Sequence, residues 1–247
     1  MKKILPPFRF KKFSVYHSRS SMRVGVDGVL IGAWAGDAHM SPERILDAGC
    51  GCGLIALMLA QRFGNSIVDA IDIDEESVGE CLYNFNESPW KNRLNAFCID
   101  VNLMAEQWRE KYDLIVSNPP FFNAGVSHPL SSRAVARHDG SLSPLRLVEL
   151  ASLMLKPGGR LALISPAERS EVIISKAEKE GLDISRIMFV RGNKEAPEKR
   201  VMLEAVKPVG NEGRDCAHSV SELIIETERG RYTDEYKTLT GDFYLNM

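Results

Sequence analysis

The sequence predicts an α/β fold, a mostly parallel sheet with helices on both faces, and three observations carry that prediction. Short aliphatic or β-branched runs alternate with stretches of helical periodicity. A glycine-rich turn follows the first such run, where strand passes into helix. The final pair of runs is joined by a charged connection too short for a crossover helix, so it pairs antiparallel as a hairpin at one sheet edge. The runs Arg44–Ala48, Ile67–Asp72, Leu94–Asp100, Tyr112–Ser117, Arg160–Ser165, Ile184–Val190 and Val201–Lys207 give a seven-stranded sheet. Between them Leu54 to Arg62 is apolar at helical spacing, and Glu75 to Glu87 opens with acids that suit a helix N-terminus. Ser143-Pro144 starts a helix bearing Leu145, Val148, Leu150 and Leu153, which Pro157-Gly158-Gly159 ends. Residues 208 to 219 read as loop. The tail adds a strand-like run, Leu223–Thr227, and a helix-like segment, Thr233–Phe243.

At 247 residues the chain is long enough for a substantial core, and 44% apolar with 26% charged residues is ordinary for a globular protein. No apolar run approaches the roughly 18 residues of a membrane span, and the charged start lacks the apolar stretch of a secretory leader. A cytoplasmic protein is expected. Five scattered cysteines include Cys50 and Cys52, but no second pair completes a zinc site, so no metal is expected. The net charge of −2 hides an asymmetry: residues 1 to 26 hold seven Lys or Arg and no acid. Phe8, Phe10, Phe13 and Tyr16 interleave with Lys11, Lys12 and Arg23 there. Cations for phosphates beside rings for bases suit loop RNA, although a solvated tail with a few core aromatics accounts for the same pattern. We divide the chain into a basic segment, 1–35, packing on or covering the site, and a domain, 36–247.

Chemistry enters at Ile45-Leu46-Asp47-Ala48-Gly49-Cys50-Gly51-Cys52-Gly53-Leu54. Gly49, Gly51 and Gly53 permit a tight turn and close approach of a ligand to backbone N–H groups. Asp47, at the strand end, would repel a pyrophosphate but attract a cationic ligand such as S-adenosylmethionine. Asp72 closes the second strand, placed to accept from ribose hydroxyls, and Asp74 caps the following helix. Asp100 closes the third, placed to accept from the cofactor adenine, with Val101 beside it in the cofactor pocket. The shared reason is that parallel sheets bind ligands at the carboxyl ends of their strands.

The fourth strand ends in Asn118-Pro119-Pro120-Phe121. Two prolines stiffen the backbone and remove two competing donors. The Asn118 oxygen and the Pro119 carbonyl can each accept one hydrogen of an exocyclic amine, while Phe121 stacks on its ring; Asn118 also borders the cofactor. The nitrogen lone pair is then aimed at a methyl carbon for in-line displacement. Such positioning can supply on the order of 7 kcal/mol.

With these residues placed, the chain resembles class I, Rossmann-like S-adenosylmethionine-dependent methyltransferases of the Asn-Pro-Pro-Tyr/Phe type. The resemblance is closer to the bacterial tRNA-Val adenine-N6 methyltransferases, through FSVYHSRSSMRVGVDGVLIGAWA (13–35), LIALMLAQR (54–62), SNPPFF (117–122) and RYTDEYKTLTGDFYLNM (231–247). It implies methylation of adenosine-37, immediately 3′ of the anticodon in a valine tRNA. It further implies that Asp47, Asp72 and Asp100 serve the cofactor while Asn118, Pro119 and Phe121 hold the base. No membrane, metal or obligate protein partner is implied.

Residues 123 to 142 hold Arg133, Arg137 and His138, near enough to the tetrad to grip an RNA backbone, although a surface loop with scattered charge and an exposed histidine accounts for the same residues. Arg23 and Asp27 either close over the cofactor or anchor the N-terminal segment. Protein glutamine N5-methylation and adenine methylation of another RNA use the same tetrad. A nicotinamide-dependent oxidoreductase would leave it without a role.

Overall fold

The computed structural model describes residues 5–20, 22–37, 39–120, 142–210 and 218–247. Along these the order is β1 (Phe8–Arg9), β2 (Ser14–Val15), α1 (Val26–Trp34), β3 (Arg44–Ala48), α2 (Leu54–Arg62), β4 (Ile67–Asp72), α3 (Glu75–Asn86), β5 (Leu94–Cys98), α4 (Val101–Met104) and β6 (Tyr112–Ser117). Then follow α5 (Pro144–Met154), β7 (Leu155–Pro166), α6 (Ser170–Lys179), β8 (Asp183–Arg191), β9 (Arg200–Val206), β10 (Ser219–Ile224), β11 (Glu226–Glu228), β12 (Arg231–Tyr232) and α7 (Asp234–Thr240).

The main sheet runs β10-β8-β9-β7-β6-β3-β4-β5, and only β9 opposes the others. It therefore has eight strands among the described residues, one more than expected. The hairpin β8–β9 forms as predicted, but β9 inserts beside β7 and β8 is not the edge. The eighth strand, β10, adds parallel to β8 and covers it. Its run begins earlier than Leu223, because the exposed Ser219, Val220, Ser221 and Glu222 carry no apolar signal while their backbone still pairs. The start of β7 is also earlier than predicted. Pro157-Gly158-Gly159 lies inside that strand, where the register against β6 shifts between Tyr112 and Leu114 and Gly158 adopts φ +80°.

Alternation along the strands sorts the core into two layers. Ile45, Val68, Ala70, Leu114, Val116, Ala162 and Ile164 pack with α1, α2 and α3 on one face. Leu46, Ile71, Ile115, Leu161 and Leu163 pack with α5 and α6 on the other. Helix α1 is buried from Gly28 to Trp34, so no polar stripe betrays it in the sequence. It lies close to α2: a Cβ on Gly32 would stand 2.8 Å from the Met58 sulfur. Its C-terminal carbonyls are capped by arginines. Arg62 donates to the Gly32 and Ala35 oxygens, and Arg186 to those of Trp34 and Gly36. Arg186 and Arg160 in turn converge on Glu204, which is fully buried.

The aromatic residues of the basic segment answer to the core. Phe10 and Phe13 are 4% and 6% exposed and stack on each other, so neither is available to a base. Phe13 meets Trp90, and Phe10 bridges Tyr244 near the chain's other end.

Candidate active site

Strands β3, β4 and β6 deliver their carboxyl ends to one place. Asp47 is the fourth residue of β3, paired with Ala70 on β4 and Val116 on β6, and the Ser117 hydroxyl donates to the Ala48 carbonyl at 2.6 Å. The chain then turns through Gly49 (φ +75°), Gly51 (φ +52°) and Gly53 (φ +81°), values that L side chains rarely adopt. The Gly49 and Cys50 amides donate to the Ile71 carbonyl, fixing the loop to β4. Gly53 is required twice over, since a Cβ there would lie 2.6 Å from the Cys81 sulfur and 2.8 Å from the Phe85 ring.

A cleft of about 210 Å³ opens beside this turn. Gly49, Cys50, Gly51 and Cys52 form one wall, Asn118 another, and Met22 to Gly28 of the N-terminal segment contribute Arg23, Gly25, Val26 and Asp27. Asn118 is 8% exposed, and its side-chain oxygen is buried without a partner among the described residues. A buried acceptor left unpaired costs about 1–3 kcal/mol, so the site is built for a donor. Pro119 follows, buried, then the half-buried Pro120. Phe121, Arg133, Arg137 and His138 lie outside the described residues.

Asp47 sits beneath the loop rather than on the cleft surface. Its Oδ2 accepts from the Ala56 amide at 3.0 Å, while Oδ1 is buried and unpartnered among the described residues. Burial pushes its carboxyl up to about 7, against the Ala56 hydrogen bond and with help from the nearby charge of Asp72. At a strand end this group is expected to be a fixed carboxylate; in the fold it is poised between neutral and charged forms near neutrality. Asp72 is tied to the loop, its Oδ2 accepting from the Gly51 amide at 2.9 Å and its Oδ1 from Asp74 at 3.0 Å. Burial raises its carboxyl as well. Asp74 caps α3 through the Ser77 amide and hydroxyl.

Besides Asp47 and Asp72, which hold the turn rather than line the cleft, Gly53, Val101 and Asp100 also stand apart from its wall. Gly53 packs inward, and Val101 belongs to the core layer of Leu46 and Ile71. Strand β5 stops at Cys98, two residues short of Asp100, which caps α4 by accepting from the Asn102 amide and side chain at Oδ1. The basic residues also separate. Arg23 reaches the cleft, whereas Lys11 donates to the Gly241 and Met247 carbonyls. That contact lies near the C-terminus of α2, where Gln61 donates to Asp242, at the amino ends of the strands and opposite Asn118. Lys12 beside it is exposed.

Met22, Gly25 and Val26, which carry no motif of their own, also line the cleft, and Cys50 and Cys52 are wall rather than spacer. The closely spaced glycines of Val24-Gly25-Val26-Asp27-Gly28 were the available signal. A hydrogen bond with Cys81, together with burial, holds the Cys50 thiol well above its ordinary value, and burial pushes Cys52 to about 12, so both present neutral sulfur. Asp27 is held by Arg200 at 2.9 Å. Among the described residues no cluster of His, Cys, Asp or Glu is placed to hold a metal, and no helix is long and apolar enough to cross a membrane.

This arrangement has relatives. Residues 36–176 match the methyltransferase small domain family. A tRNA1(Val) (adenine(37)-N6)-methyltransferase of Parabacteroides distasonis is 42% identical over 243 residues, 98% of this chain and 99% of that one. One of the same name from Flavobacterium psychrophilum is 39% identical, covering 97% of this chain and all of its own. In fold, the chain is similar to a predicted O-methyltransferase of Agrobacterium tumefaciens, with a TM-score of 0.68, 19% identity and coverage of 88% and 96%. It is also similar to TYW2 of P. horikoshii in complex with MeSAdo, with a TM-score of 0.59, 14% identity and coverage of 85% and 73%.

Proposed function

The chain belongs to the methyltransferase small domain family, and within it to the tRNA1(Val) (adenine(37)-N6)-methyltransferases, and from that premise we propose that it transfers a methyl group from S-adenosyl-L-methionine to the N6 amine of adenosine-37 in a valine tRNA. The observation that carries the substrate chemistry is the Asn118 oxygen, buried and unpartnered among the described residues in a cleft whose other wall is the glycine turn.

The residues fit the donor. Three glycines in left-handed conformations leave backbone open to close approach, and a second acceptor unpartnered among the described residues, Asp47 Oδ1, lies beneath them. Gly49, Gly51 and Asn118, which line the cleft, would hold it, with Asp72 fixing the turn through the Gly51 amide and Asp47 answering its positive charge from beneath; Asp100 and Val101, set apart from the wall, are not needed for this fit. When bound, S-adenosyl-L-methionine supplies a methyl carbon activated by a sulfonium leaving group. The protein's part is to orient the amine. Asn118 Oδ1 accepts one of its hydrogens and the Pro119 carbonyl the other, and neither Pro119 nor Pro120 offers a competing N–H. Both acceptors draw the nitrogen away from planarity and free its lone pair. The nitrogen sheds its proton after methylation, so the site needs acceptors more than a base. Phe121 stacks on the base in this reading.

Residues 1–35 then serve as a segment that walls the cleft of domain 36–247, supported by Met22 to Gly28 lining it. Arg23, Lys12, Arg133, Arg137 and His138 are the cations assigned to tRNA, in the cytoplasm. The test is nucleoside mass spectrometry of bulk tRNA treated with the purified protein and methyl-labelled donor. Gain of N6-methyladenosine is expected; label in another nucleoside, or none, overturns the assignment.

A further inference from the structure

One face of α3 fastens the N-terminal segment to the glycine turn. Ser77, Glu80 and Asn84 recur at helical spacing and are 0%, 5% and 0% exposed. Asn84 touches both partners. Its side-chain oxygen accepts from the Tyr16 amide at 2.8 Å, and its nitrogen donates to the Tyr16 carbonyl and to the Cys52 carbonyl, both at 2.8 Å. One turn earlier, the Glu80 carboxylate gathers three successive amides: Ser18 at 2.7 Å, Arg19 at 3.0 and 3.1 Å, and Ser20 at 2.8 Å. Such a concave run of N–H groups is an anion site, and here the anion is the chain's own. Ser20 ends the run 3.1 Å from where a Gly51 Cβ would stand, and its hydroxyl donates to the Met22 carbonyl. Met22 and Arg23 then line the cleft.

We propose that Asn84, seconded by Glu80, is a positioning residue that holds residues 16–20 and the turn 49–53 in one register, and so sets the affinity for the methyl donor. The inference rests on the proposed donor site. Neither side chain lines the cleft; both act through backbone. Their loss therefore loosens two of the cleft walls and leaves Asn118 in place.

The test compares wild type, Asn84→Asp and Glu80→Ala by steady-state kinetics with the donor and by calorimetry with S-adenosylhomocysteine. Asn84→Asp keeps the size but replaces two donors by an acceptor facing two carbonyls. We expect the KM for the donor and the Kd for S-adenosylhomocysteine to rise roughly tenfold or more, with kcat at saturation within about twofold of wild type. A merely structural role predicts the reverse split, a lower kcat from a smaller folded fraction at unchanged KM. Hydrogen exchange on wild type needs no variant: S-adenosylhomocysteine should slow exchange in residues 16–20 together with 49–53. Unchanged KM in folded variants, or protection confined to 49–53, overturns the inference. Failure of wild type to bind S-adenosylhomocysteine would instead overturn the proposed donor site.

Discussion

The Gly51 amide donates to Asp72 Oδ2 at 2.9 Å, so the turn after one strand and the acid closing the next form a single rigid corner. The glycine turn is thus held from β4 as much as from its own strand, since Gly49 and Cys50 also bond to Ile71. Disturbing that corner by different routes gives separable outcomes.

Gly53→Ala forces a side chain into Cys81 and Phe85 at φ +81°. It should destabilise the fold by about 2 kcal/mol or more, read from urea unfolding. Gly49→Ala meets nothing within 4 Å and carries only the conformational cost, about 1 kcal/mol. Its loss should fall on S-adenosylhomocysteine affinity. Equal destabilisation by the two would refute the packing argument.

Asn118→Ala should lower turnover by about 10²-fold or more while S-adenosylhomocysteine binds nearly as before, because the lost acceptor serves the amine. A variant that loses donor binding and keeps turnover at saturation would assign Asn118 to the donor instead.

Asp47 makes the site pH-dependent with a definite sign. Its folded value of about 7 exceeds the ordinary 3.8, so between these the folded state holds the extra proton. This group's contribution to stability therefore falls as pH rises through that window and is level above it. A cationic ligand group beside Oδ1 favours the carboxylate, so binding near pH 6.5 should release a proton, and affinity should rise between about pH 6 and 8. Calorimetric heats at pH 6.5 that are identical in buffers of different ionisation enthalpy would show that no proton is released.

Glu204→Ala removes the buried carboxylate shared by Arg160 and Arg186, leaving Arg160 with Asp37 and Arg186 with the α1 carbonyls, and should cost about 3 kcal/mol, seen in thermal unfolding. Because Arg186 also caps α1, the variant should additionally weaken donor binding; a pure stability loss would show α1 to be held by Arg62 alone.

Arg23→Ala should reduce the slope of log affinity for tRNA against log salt by about 0.7 to 0.9, and Lys11→Ala should leave it unchanged. The two cations lie at opposite ends of the sheet, and equal effects would mean that tRNA embraces both.

Strands that run into a turn-forming residue were legible to the residue: Arg44–Ala48 before Gly49, Ile67–Asp72 at its own aspartate and Tyr112–Ser117 before Asn118-Pro119, with the helix Leu54–Arg62. Their apolar runs stop where the chain must turn. Helix α1 was not legible, because burial on all sides erases the periodicity that reveals a helix, and Gly28 and Gly32 argue against one locally. The first four residues of β10 escaped for the opposite reason, an exposed edge held by backbone, while Leu223 and Ile224 fell within the predicted run. In the site, residue types identified Asn118 and the glycine turn. They could not tell that Asp47 lies under the turn, or that Lys11 caps a distant helix, since each depends on contacts remote in sequence.

The pairing of Phe10 with Tyr244, and of Lys11 with Gly241 across 230 residues, closes a seam between the first and last parts of the fold. Closing so long a loop from a disordered chain costs roughly 5 kcal/mol, yet almost nothing once the sheet has brought the ends together. The seam is therefore a late event of folding. On the ribosome Phe8 and Phe10 emerge well ahead of Tyr244, their ring partner, so the β1–β2 hairpin waits partly uncovered for a segment made much later and needs shelter in the nascent chain.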